Sequence, residues 1–263
     1  MNPIQLAAAN PGPMTGEGNW TYLIGGTAPI LIDAGVGKPS HLAAIAEAAP
    51  NGLSRVIVTH AHPDHVSGAP EMARRWPSAS FEKYPWPDRD PALPWRWLAD
   101  GDLIRTDEGV LQAVHTPGHA PDHLVLWHQE SRTLFTGDML VLGNSVVILA
   151  SHGGDLAAYL ASLQRMRDLN PARAYPAHGP VIDDPIGLID RYLAHRAKRE
   201  EQVLDALAQQ RDTVEAIAAD IYTGLIDALV PMARDGVLAH LQKLAREGRV
   251  VQVDERWRLA GPR

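Results

Sequence analysis

The 263-residue sequence contains no cysteine, which excludes disulfide bonds, thiolate zinc sites, iron–sulfur clusters and a cysteine nucleophile. Any bound metal ion must therefore be held by imidazole and carboxylate groups, and the sequence offers 12 histidines. No run of about 18 apolar residues occurs, so no segment is predicted to span or contact a membrane. The hydrophobic content of 45% and charged content of 21% are typical of a folded globular chain and exclude a disordered one.

Positive charge is also scarce, and its distribution is uneven. The formal net charge is −7, which argues against a surface built mainly to bind phosphate backbones. Residues 1–190 contain 12 Lys and Arg against 20 Asp and Glu, a balance of −8, whereas residues 191–263 contain 12 against 11. No Lys or Arg precedes the first short apolar stretch, so no secretory signal is predicted and we expect a cytoplasmic enzyme.

The first part of the chain alternates short strand-like and helical segments. This pattern of hairpins and crossovers predicts an α/β fold in which a layered sheet sandwich is flanked by helices. The predicted strands are residues 22–24, 30–32, 55–58, 103–106, 110–115, 123–127, 133–136 and 172–175. The predicted helices are residues 41–48, 69–75 and 156–167, and residues 86–97 are predicted to form a loop.

The last part of the chain is almost wholly helical in pattern until its final residues. A capped helix start at residues 212–215 and an apolar stripe that ends at Gly248 precede a predicted hairpin at 249–259. Helices followed by a two-stranded wing predict a small winged-helix-like domain. The composition changes near residues 190–210, and we place the domains at residues 1–195 and 196–263.

A dense group of polar residues directly follows the predicted strand 55–58. Its sequence is His60-Ala61-His62-Pro63-Asp64-His65. His60 and His62 can point the same way from an extended chain, and Asp64 and His65 lie close enough to form a second site. Three histidines and one aspartate within six residues are more metal ligands than ordinary packing requires. A solvated polar turn is the alternative interpretation.

Three further turns each present one residue of a metal-ligand type next to glycine. His119, Asp138 and His178 each follow a predicted strand. One such residue is not specific on its own, because an isolated histidine near a glycine is common at protein surfaces. Together with residues 60–65, they supply five histidines and two aspartates, which is enough for two metal ions.

In order and spacing, these residues resemble the metal-ligand set of the metallo-beta-lactamase fold superfamily. The resemblance covers roughly residues 18–195 and implies a four-layer αββα sandwich with the metals at the edge of the two sheets. It also implies that His60, His62 and His119 bind one ion and that Asp64, His65 and His178 bind a second. Asp138 would bridge the two ions. Asp33 would orient the ligand loop rather than bind metal.

The chemistry of these groups agrees with a dinuclear zinc-dependent hydrolase. Imidazoles and carboxylates in one site suit Zn²⁺, two ions per chain, with Mn²⁺ or Fe as alternatives. Two ions that share a water lower its pKa towards about 7, and the resulting hydroxide attacks a carbonyl carbon or a phosphorus. Asp64 is the candidate catalytic residue because it can orient that hydroxide.

The winged-helix-like domain makes the chain similar to the beta-lactamase-like-protein-2 group. Residues 194–202 and 178–182 also resemble that group. Some of its members are endoribonucleases specific for single strands, and similar basic links in glyoxalase II enzymes bind the glutathione part of a thioester. Residues 195–202 are predicted to form a solvated helix face. Alternatively, Arg196, Lys198 or Arg199 lies beside the metal site and binds a phosphate or carboxylate.

Two groups of residues near the predicted ligands are candidates for lining the site. Trp86, Trp95 and Trp97 either cover its mouth or belong to a loop pinned to the surface, and the pinned loop is favoured. Asn144 and Ser145, which follow Asp138, are candidates for the substrate pocket.

Three functional classes follow from the sequence. The first is a hydrolase that cleaves a carbonyl bond of a small-molecule substrate, either a thioester, an ester or a lactam. The second is an endoribonuclease or phosphodiesterase acting on single-stranded RNA, which the −8 balance of the catalytic part disfavours. The third is a metal-stabilised winged-helix protein that binds nucleic acid without catalysis. We rank it last, because its recognition helix offers little beyond Lys243 and Arg246.

Overall fold

Two β-sheets pack face to face between layers of helices in the computed structural model, which describes residues 1–13, 15–143 and 145–261. A third, two-stranded sheet belongs to a separate C-terminal core. The predicted α/β sandwich is confirmed, and helices with a two-stranded sheet follow it in the C-terminal part as predicted. Within the described residues, no helix is both long and apolar enough to cross a membrane.

The first sheet has six strands in the order of the chain. They are β1 (Ile4–Ala7), β2 (Trp20–Ile24), β3 (Ile30–Ile32), β4 (Arg55–Ile57), β5 (Ser80–Lys83) and β6 (Trp95–Trp97). Leu23, Leu31 and Val56 pack under helices α1 (Pro39–Ala48) and α3 (Ala69–Arg75). Their neighbours Ile24 and Ile32 face the second sheet, as the two-residue period of a strand requires.

The second sheet has five strands and is covered by two longer helices. Its strands are β7 (Leu103–Thr106), β8 (Gly109–His115), β9 (Leu124–His128), β10 (Thr133–Gly137) and β11 (Arg173–Pro176), in the order β11-β10-β9-β8-β7. Phe135 of β10 points into the space between the sheets, where its ring lies 5.5 Å from that of Tyr22. Leu134, next in the chain, packs on the other side with α4 (Leu156–Asp168) and α5 (Pro185–Ala208).

The C-terminal part has its own hydrophobic core. The second half of α5, α6 (Val214–Ile221), α7 (Val230–Arg246), β12 (Val250–Val253) and β13 (Arg256–Leu259) enclose Ile217, Leu241 and Trp257. Short 3₁₀ helices occur at Ala150–His152 and Asp227–Leu229. Helix α5 is continuous through the predicted boundary at 195/196, and its first half packs on the second sheet. The domain limits stay a prediction.

Three strands of the first sheet are missing from the sequence-based prediction. Strands β1 and β5 were not expected, and β6 lies in the segment 86–97 that was predicted to be a loop. Strand β5 carries Glu82 and Lys83, both buried, so it lacks the apolar character that indicates a buried strand. Strand β6 lies at the edge of the sheet and has only three residues, too few to show the two-residue alternation typical of a strand.

The sheet topology brings the predicted ligand turns together. Strands β3, β4 and β5 are parallel, and so are β10 and β11. Parallel strands end at the same edge of a sheet, so the residues that follow β10 and β11 lie at one edge of the second sheet. The residues that follow β4 lie at the adjacent edge of the first sheet. An isolated bridge between Asn19 and His178 joins the two sheets there.

The C-terminal part contacts the sandwich through the start of α4. This contact can be tested by mutation. Asp155 caps α4 by accepting a hydrogen bond from the Ala158 amide at 3.0 Å, and Arg246 donates to both of its oxygens at 2.6 and 2.8 Å. We expect Asp155→Ala to lower the free energy of unfolding by about 1–2 kcal/mol, because it removes a helix cap. Arg246→Ala removes only a half-exposed ion pair and should cost less than about 1 kcal/mol. Chemical denaturation measures both, and an equal or larger loss for Arg246→Ala would contradict this account.

Candidate metal centre

The seven predicted ligands lie at one edge of the sandwich, each just after a strand. His60 and His62 follow β4, and Asp64 and His65 lie in the short helix α2 (Pro63–Val66). The other three ligands follow β8, β10 and β11: His119, Asp138 and His178. Their potential ligand atoms form two groups, and within each group all atoms lie within 4.8 Å of one another.

Local backbone geometry explains why the ligand loops turn where they do. Pro63 occupies the first turn of α2, where its missing N–H costs no hydrogen bond, so the chain changes from extended at His62 to helical. Gly118 has a φ of +133°, and a Cβ there would lie 2.3 Å from the backbone of Tyr159. Glycine at this position therefore lets the loop that carries His119 pass directly over helix α4.

The first tetrad consists of His60, His62, His119 and Asp138. The Nδ1 atom of His62 lies 3.0 Å from His60 Nε2 and 2.9 Å from His119 Nε2. Asp138 Oδ2 lies 3.4 Å from His119 Nε2 and 3.9 Å from His60 Nε2. Three imidazole nitrogens and one carboxylate oxygen thus face a common point, which is the donor set of a tetrahedral zinc site.

The second tetrad consists of Asp64, His65, Asp138 and His178. Asp138 Oδ1 lies 3.3 Å from His65 Nε2 and 3.4 Å from His178 Nε2. Asp64 Oδ2 lies 3.4 and 3.3 Å from the same two nitrogens. Asp138 therefore directs one carboxylate oxygen into each tetrad. Its Oδ1 is buried and accepts no hydrogen bond from the described residues, so it is an available acceptor for a cation.

Burial keeps the histidines of the first tetrad neutral. It lowers the pKa of His60 well below its usual value, and it lowers the pKa of His62 to about 4 with help from His119. The pKa of His119 is also lowered, mainly by burial. Neutral imidazoles bind metal, whereas imidazolium does not, so this tetrad is ready for an ion at neutral pH.

The second tetrad has the opposite electrostatics. Burial opposes a charge on His65, but Asp138, Asp64 and Asp33 outweigh it and raise the pKa of His65 well above its usual value. Burial likewise opposes a charge on His178, but the adjacent carboxylates of Asp138 and Asp64 outweigh it and raise the pKa of His178 to about 9. The same contacts lower the pKa of both Asp64 and Asp138. Protons on the two histidines thus balance the carboxylates in the metal-free protein.

Asp33 lies outside both tetrads and fixes the ring of His65. Its Oδ2 accepts a hydrogen bond from His65 Nδ1 at 2.9 Å, which leaves Nε2 facing the tetrad. Its Oδ1 accepts from the amide and the hydroxyl of Thr59 at 2.8 and 2.9 Å. Asp33 has a φ of +65°, a left-handed conformation that aspartate tolerates better than most residues.

Asn19 is a site residue that the sequence reasoning missed. Its side-chain amide donates to Asp64 Oδ2 at 2.9 Å, and its Oδ1 accepts from Asn10 at 2.6 Å. The side chain is buried just before β2, a strand that is distant in sequence from α2. Nothing in the spacing around residue 19 indicates this contact, because it joins positions that are far apart in the chain.

A cleft lies above the two tetrads, and a buried lysine links one of its walls to the sandwich. Lys83 Nζ lies 2.5 Å from Asp90 and 2.9 Å from Asp122, and all three side chains are buried. Asp90 also accepts from the Trp86 amide at 2.7 Å, which holds the turn that carries Trp86. Of the three predicted tryptophans, Trp86 lines the cleft, whereas Trp95 and Trp97 do not.

The basic residues of α5 do not reach the cleft. Arg196 is buried and bonds to the backbone, while Lys198 is exposed. Arg199 lies over the ring of Tyr222 at 4.5 Å. None of the three is among the described residues that line the cleft, and Arg196 departs from the predicted solvated helix face because it is buried. Ser145 lines the cleft as predicted, and Asn144 lies outside the described residues.

The profile of the Metallo-beta-lactamase superfamily matches residues 14–178, more than half of the chain. The chain belongs to this superfamily. The profile of the beta-lactamase associated winged helix domain matches residues 213–257, which confirms the predicted C-terminal domain. Members of the superfamily are generally metal-dependent hydrolases, so the prediction that this protein is an enzyme of that class is confirmed.

Two curated relatives and one crystal structure are similar over most of the chain. The beta-lactamase-like protein 2 homolog of Caenorhabditis elegans is 33% identical over 93% of this chain and 84% of its own. The atrochrysone carboxyl ACP thioesterase dmxR1 of Cryptosporiopsis sp. is 33% identical over 94% of this chain and 80% of its own. A metallo-beta-lactamase family protein of Thermus thermophilus has a TM-score of 0.80 at 22% identity, with 98% of each chain covered. This structure shows that the fold extends through the C-terminal domain.

Replacing Gly118 should disturb the His119 loop. Alanine there is strained by the positive φ and clashes with the backbone of Tyr159, so we expect Gly118→Ala to lower the free energy of unfolding by about 2–4 kcal/mol. Gly25→Ala is the matched control, since a Cβ there meets nothing within 4 Å, and its effect should stay within about 1 kcal/mol. Thermal or chemical denaturation of both variants tests this, and equal stabilities would contradict it.

The two tetrads should differ in how their metal affinity depends on pH. A metal ion must displace protons from His65 and His178, whose pKa values are raised, the latter to about 9. Affinity for the second tetrad should therefore rise as pH increases from about 6.5 to about 9, while affinity for the first changes less. Competition with a chelator at several pH values measures both steps, and His178→Ala identifies the second. Equal pH dependence of the two steps would contradict the assignment.

Proposed function

We propose that this protein is a dinuclear zinc-dependent hydrolase that cleaves a carbonyl bond, with thioesters that carry a large apolar acyl group as its preferred substrates. The observation that carries the proposal is the pair of tetrads that share Asp138 at the base of an apolar cleft. The superfamily supports hydrolysis in general. The donor set and the cleft support the metal and the substrate class.

The donor atoms fit two divalent ions. The superfamily binds such ions, and each tetrad combines imidazole nitrogen with carboxylate oxygen, which suits Zn²⁺ and also permits Mn²⁺ or Fe. His60, His62 and His119 would hold one ion, and Asp64, His65 and His178 the other, with Asp138 between them. When bound, the ions supply Lewis acidity and lower the pKa of water enough to give a nucleophile at neutral pH.

Asp64 would orient the attacking water, and its contacts support this role. Its Oδ2 accepts from Asn19 at 2.9 Å and faces His178 at 3.3 Å, so its carboxylate is held in one orientation. Burial opposes the charge of this carboxylate, but His65 and His178 outweigh it and lower its pKa. Asp64 therefore stays ionised and accepts a hydrogen bond from water rather than keeping a proton. Its role is orientation of the water, with Asn19 as the residue that positions it.

The cleft above the tetrads favours a large apolar substrate. Its volume is about 1480 Å³, and much of its wall is apolar. Six of the apolar residues that line it are Trp20, Val66, Trp86, Leu140, Leu142 and Val181. Pockets of this kind bind ligands mainly through apolar contact and use a few polar groups to orient them. An extended acyl chain or an aromatic acyl group matches this surface.

Among carbonyl substrates, a thioester requires the fewest catalytic groups from the protein. A thiol has a pKa of about 8.5, so the thiolate leaves without a proton donor, whereas an alkoxide or an amine requires one. The similar dmxR1 protein is named an atrochrysone carboxyl ACP thioesterase. Esters and lactams remain secondary substrates of the proposed site.

The charges of the cleft oppose the alternative substrate, single-stranded RNA. Arg89 is the one Lys or Arg among the described residues that line the cleft, which also contains the exposed acidic residues Glu17 and Asp88. Binding of a phosphate backbone draws most of its affinity from several Lys or Arg contacts. A carbonyl hydrolase therefore fits the cleft better than a nuclease does.

A side-by-side assay tests the proposed substrate class. The zinc-, manganese- and iron-loaded enzyme is assayed on acyl thioesters of increasing acyl size, an ester, a lactam, a phosphodiester and single-stranded RNA. We expect thioester cleavage, with kcat/KM increasing with the apolar surface of the acyl group because the cleft buries that surface. Cleavage of RNA alone, or no dependence on acyl size, would overturn the proposal.

Removal of the shared carboxylate tests the dinuclear site. The protein should bind close to two ions per chain, and a value well below one would contradict two tetrads. Asp138→Asn keeps the size of the side chain but removes its charge, and we expect it to abolish hydrolysis and to bind fewer ions. Asp88→Asn, an exposed residue at the cleft rim, is the matched control. Metal analysis and the thioester assay measure both variants, and retained activity in Asp138→Asn would show that the bridge is misplaced.

A further inference from the structure

The segment between β10 and the 3₁₀ helix at Ala150–His152 forms one wall of the cleft. We name residues 141–143 and 145–147 the cleft segment, of which Val141, Leu142, Ser145, Val146 and Val147 line the cleft. None of these five residues belongs to a strand or helix, so hydrogen bonds within a sheet or helix do not fix their backbone. The position of the segment depends on side chains from other parts of the fold.

The cleft segment orients one of the metal ligands. The backbone carbonyl of Val147 lies 3.1 Å from Nδ1 of His119. A carbonyl oxygen can only accept, so Nδ1 carries the proton and Nε2 carries the lone pair that faces His62 at 2.9 Å. A shift of the segment would therefore turn the His119 ring away from the first tetrad.

Helix α5 holds the cleft segment from behind with two side chains one turn apart. The hydroxyl of Tyr192 donates to the Val141 carbonyl at 2.7 Å and accepts from the Val141 amide at 3.2 Å. Arg196 donates through Nη2 to the Val146 carbonyl and to Ser145 Oγ, the latter at 3.2 Å. Positions i and i+4 lie on the same face of a helix, so both side chains reach the same segment.

The surroundings of Arg196 indicate that its charge does not serve mainly to stabilise the fold. Its side chain is buried, it forms no ion pair with a carboxylate of the described residues, and its Nε has no hydrogen-bond partner among them. The guanidinium lies 5.6 Å from the ring of Tyr159, which offsets part of the cost of burying the charge. An apolar side chain of similar size would fill this space without that cost.

We propose that Arg196, assisted by Tyr192, is a positioning residue for His119 and sets the metal affinity of the first tetrad. It acts through the cleft segment: Arg196 holds the carbonyl of Val146, and the next carbonyl, that of Val147, holds the proton of His119 Nδ1. This inference rests on the proposed metal centre. It does not extend to the second tetrad, whose ligands make no hydrogen bond to the cleft segment within the described residues.

The inference predicts a selective loss of metal affinity. Arg196→Met keeps the apolar stem but removes the donors, so residues 145 and 146 of the cleft segment lose their hydrogen bonds to helix α5. Loss of a residue that orients a ligand typically weakens metal binding about 10- to 100-fold. We expect such a loss for the first tetrad and a change of less than about threefold for the second. Tyr192→Phe should weaken metal binding to the first tetrad by a smaller factor. The metal affinity of Arg196→Lys should lie between that of Arg196→Met and that of the original protein.

The experiment is a titration of the metal-free full-length protein with Co²⁺, followed by its visible absorption spectrum. His119→Ala and His178→Ala assign the two binding steps to the first and second tetrads. Arg191→Met is the matched control, because Arg191 is exposed on the same helix and lies 3.9 Å from Asp184. The unfolding midpoint of each variant is measured in parallel, since a purely structural role would lower the midpoint without a selective change in the spectrum.

Each outcome distinguishes this inference from the metal centre on which it rests. If His119→Ala removes one step while Arg196→Met and Tyr192→Phe leave both unchanged, the positioning role is wrong and the metal centre stands. If His119→Ala leaves both steps intact, the metal centre itself is wrong. Equal weakening of both steps by Arg196→Met would also overturn the inference. Should Arg196→Met fail to fold, Arg196→Lys and Tyr192→Phe carry the same test with nearly unchanged volume.

Discussion

The carboxylate of Asp138 is the group that links the two tetrads, and the arrangement of the site depends on it. One of its oxygens faces the histidines of the first tetrad and the other faces those of the second. The two tetrads differ in charge, because burial dominates in the first and the carboxylates Asp64 and Asp33 add to Asp138 around His65. A single negative group therefore faces one set of imidazoles that burial keeps neutral and one set that the surrounding carboxylates favour in the protonated form.

Much of the fold and of the site could be predicted from sequence because the relevant signals are local. Residues 60–65 are contiguous, and each remaining ligand follows a strand whose apolar character is visible in the sequence. The contacts that could not be predicted join distant positions, as in the amide of Asn19 on Asp64. Strand β5 was missed because a buried charged residue such as Lys83 looks like surface when its partner is unknown. Of the basic residues of α5, Arg196 was misjudged for the same reason, because its charge suggests exposure and its side chain is buried, whereas Lys198 is exposed as predicted.

The cleft combines a polar base, which suits charged groups, with apolar walls, which suit hydrophobic groups. Its base holds imidazoles and carboxylates, while its walls are largely apolar and are fixed by buried polar contacts behind them. Lys83 holds the wall that carries Trp86, and helix α5 holds the cleft segment. These polar contacts lie behind the walls, which leaves apolar surface towards a substrate. The same helix continues into the winged-helix domain, so this domain and the cleft share one structural element.

The origin of the ligands from both sheets affects when the chain can acquire its metal. His60 and His65 follow a strand of the first sheet, whereas Asp138 and His178 follow strands of the second. These residues are far apart in the sequence, and bringing them together requires that a long intervening stretch has already folded. The unfolded or half-synthesised chain therefore offers only the short His60–His65 segment to an ion. In the proposed dinuclear site, tight binding of both ions would therefore require the finished sandwich, and the ions would join its two halves.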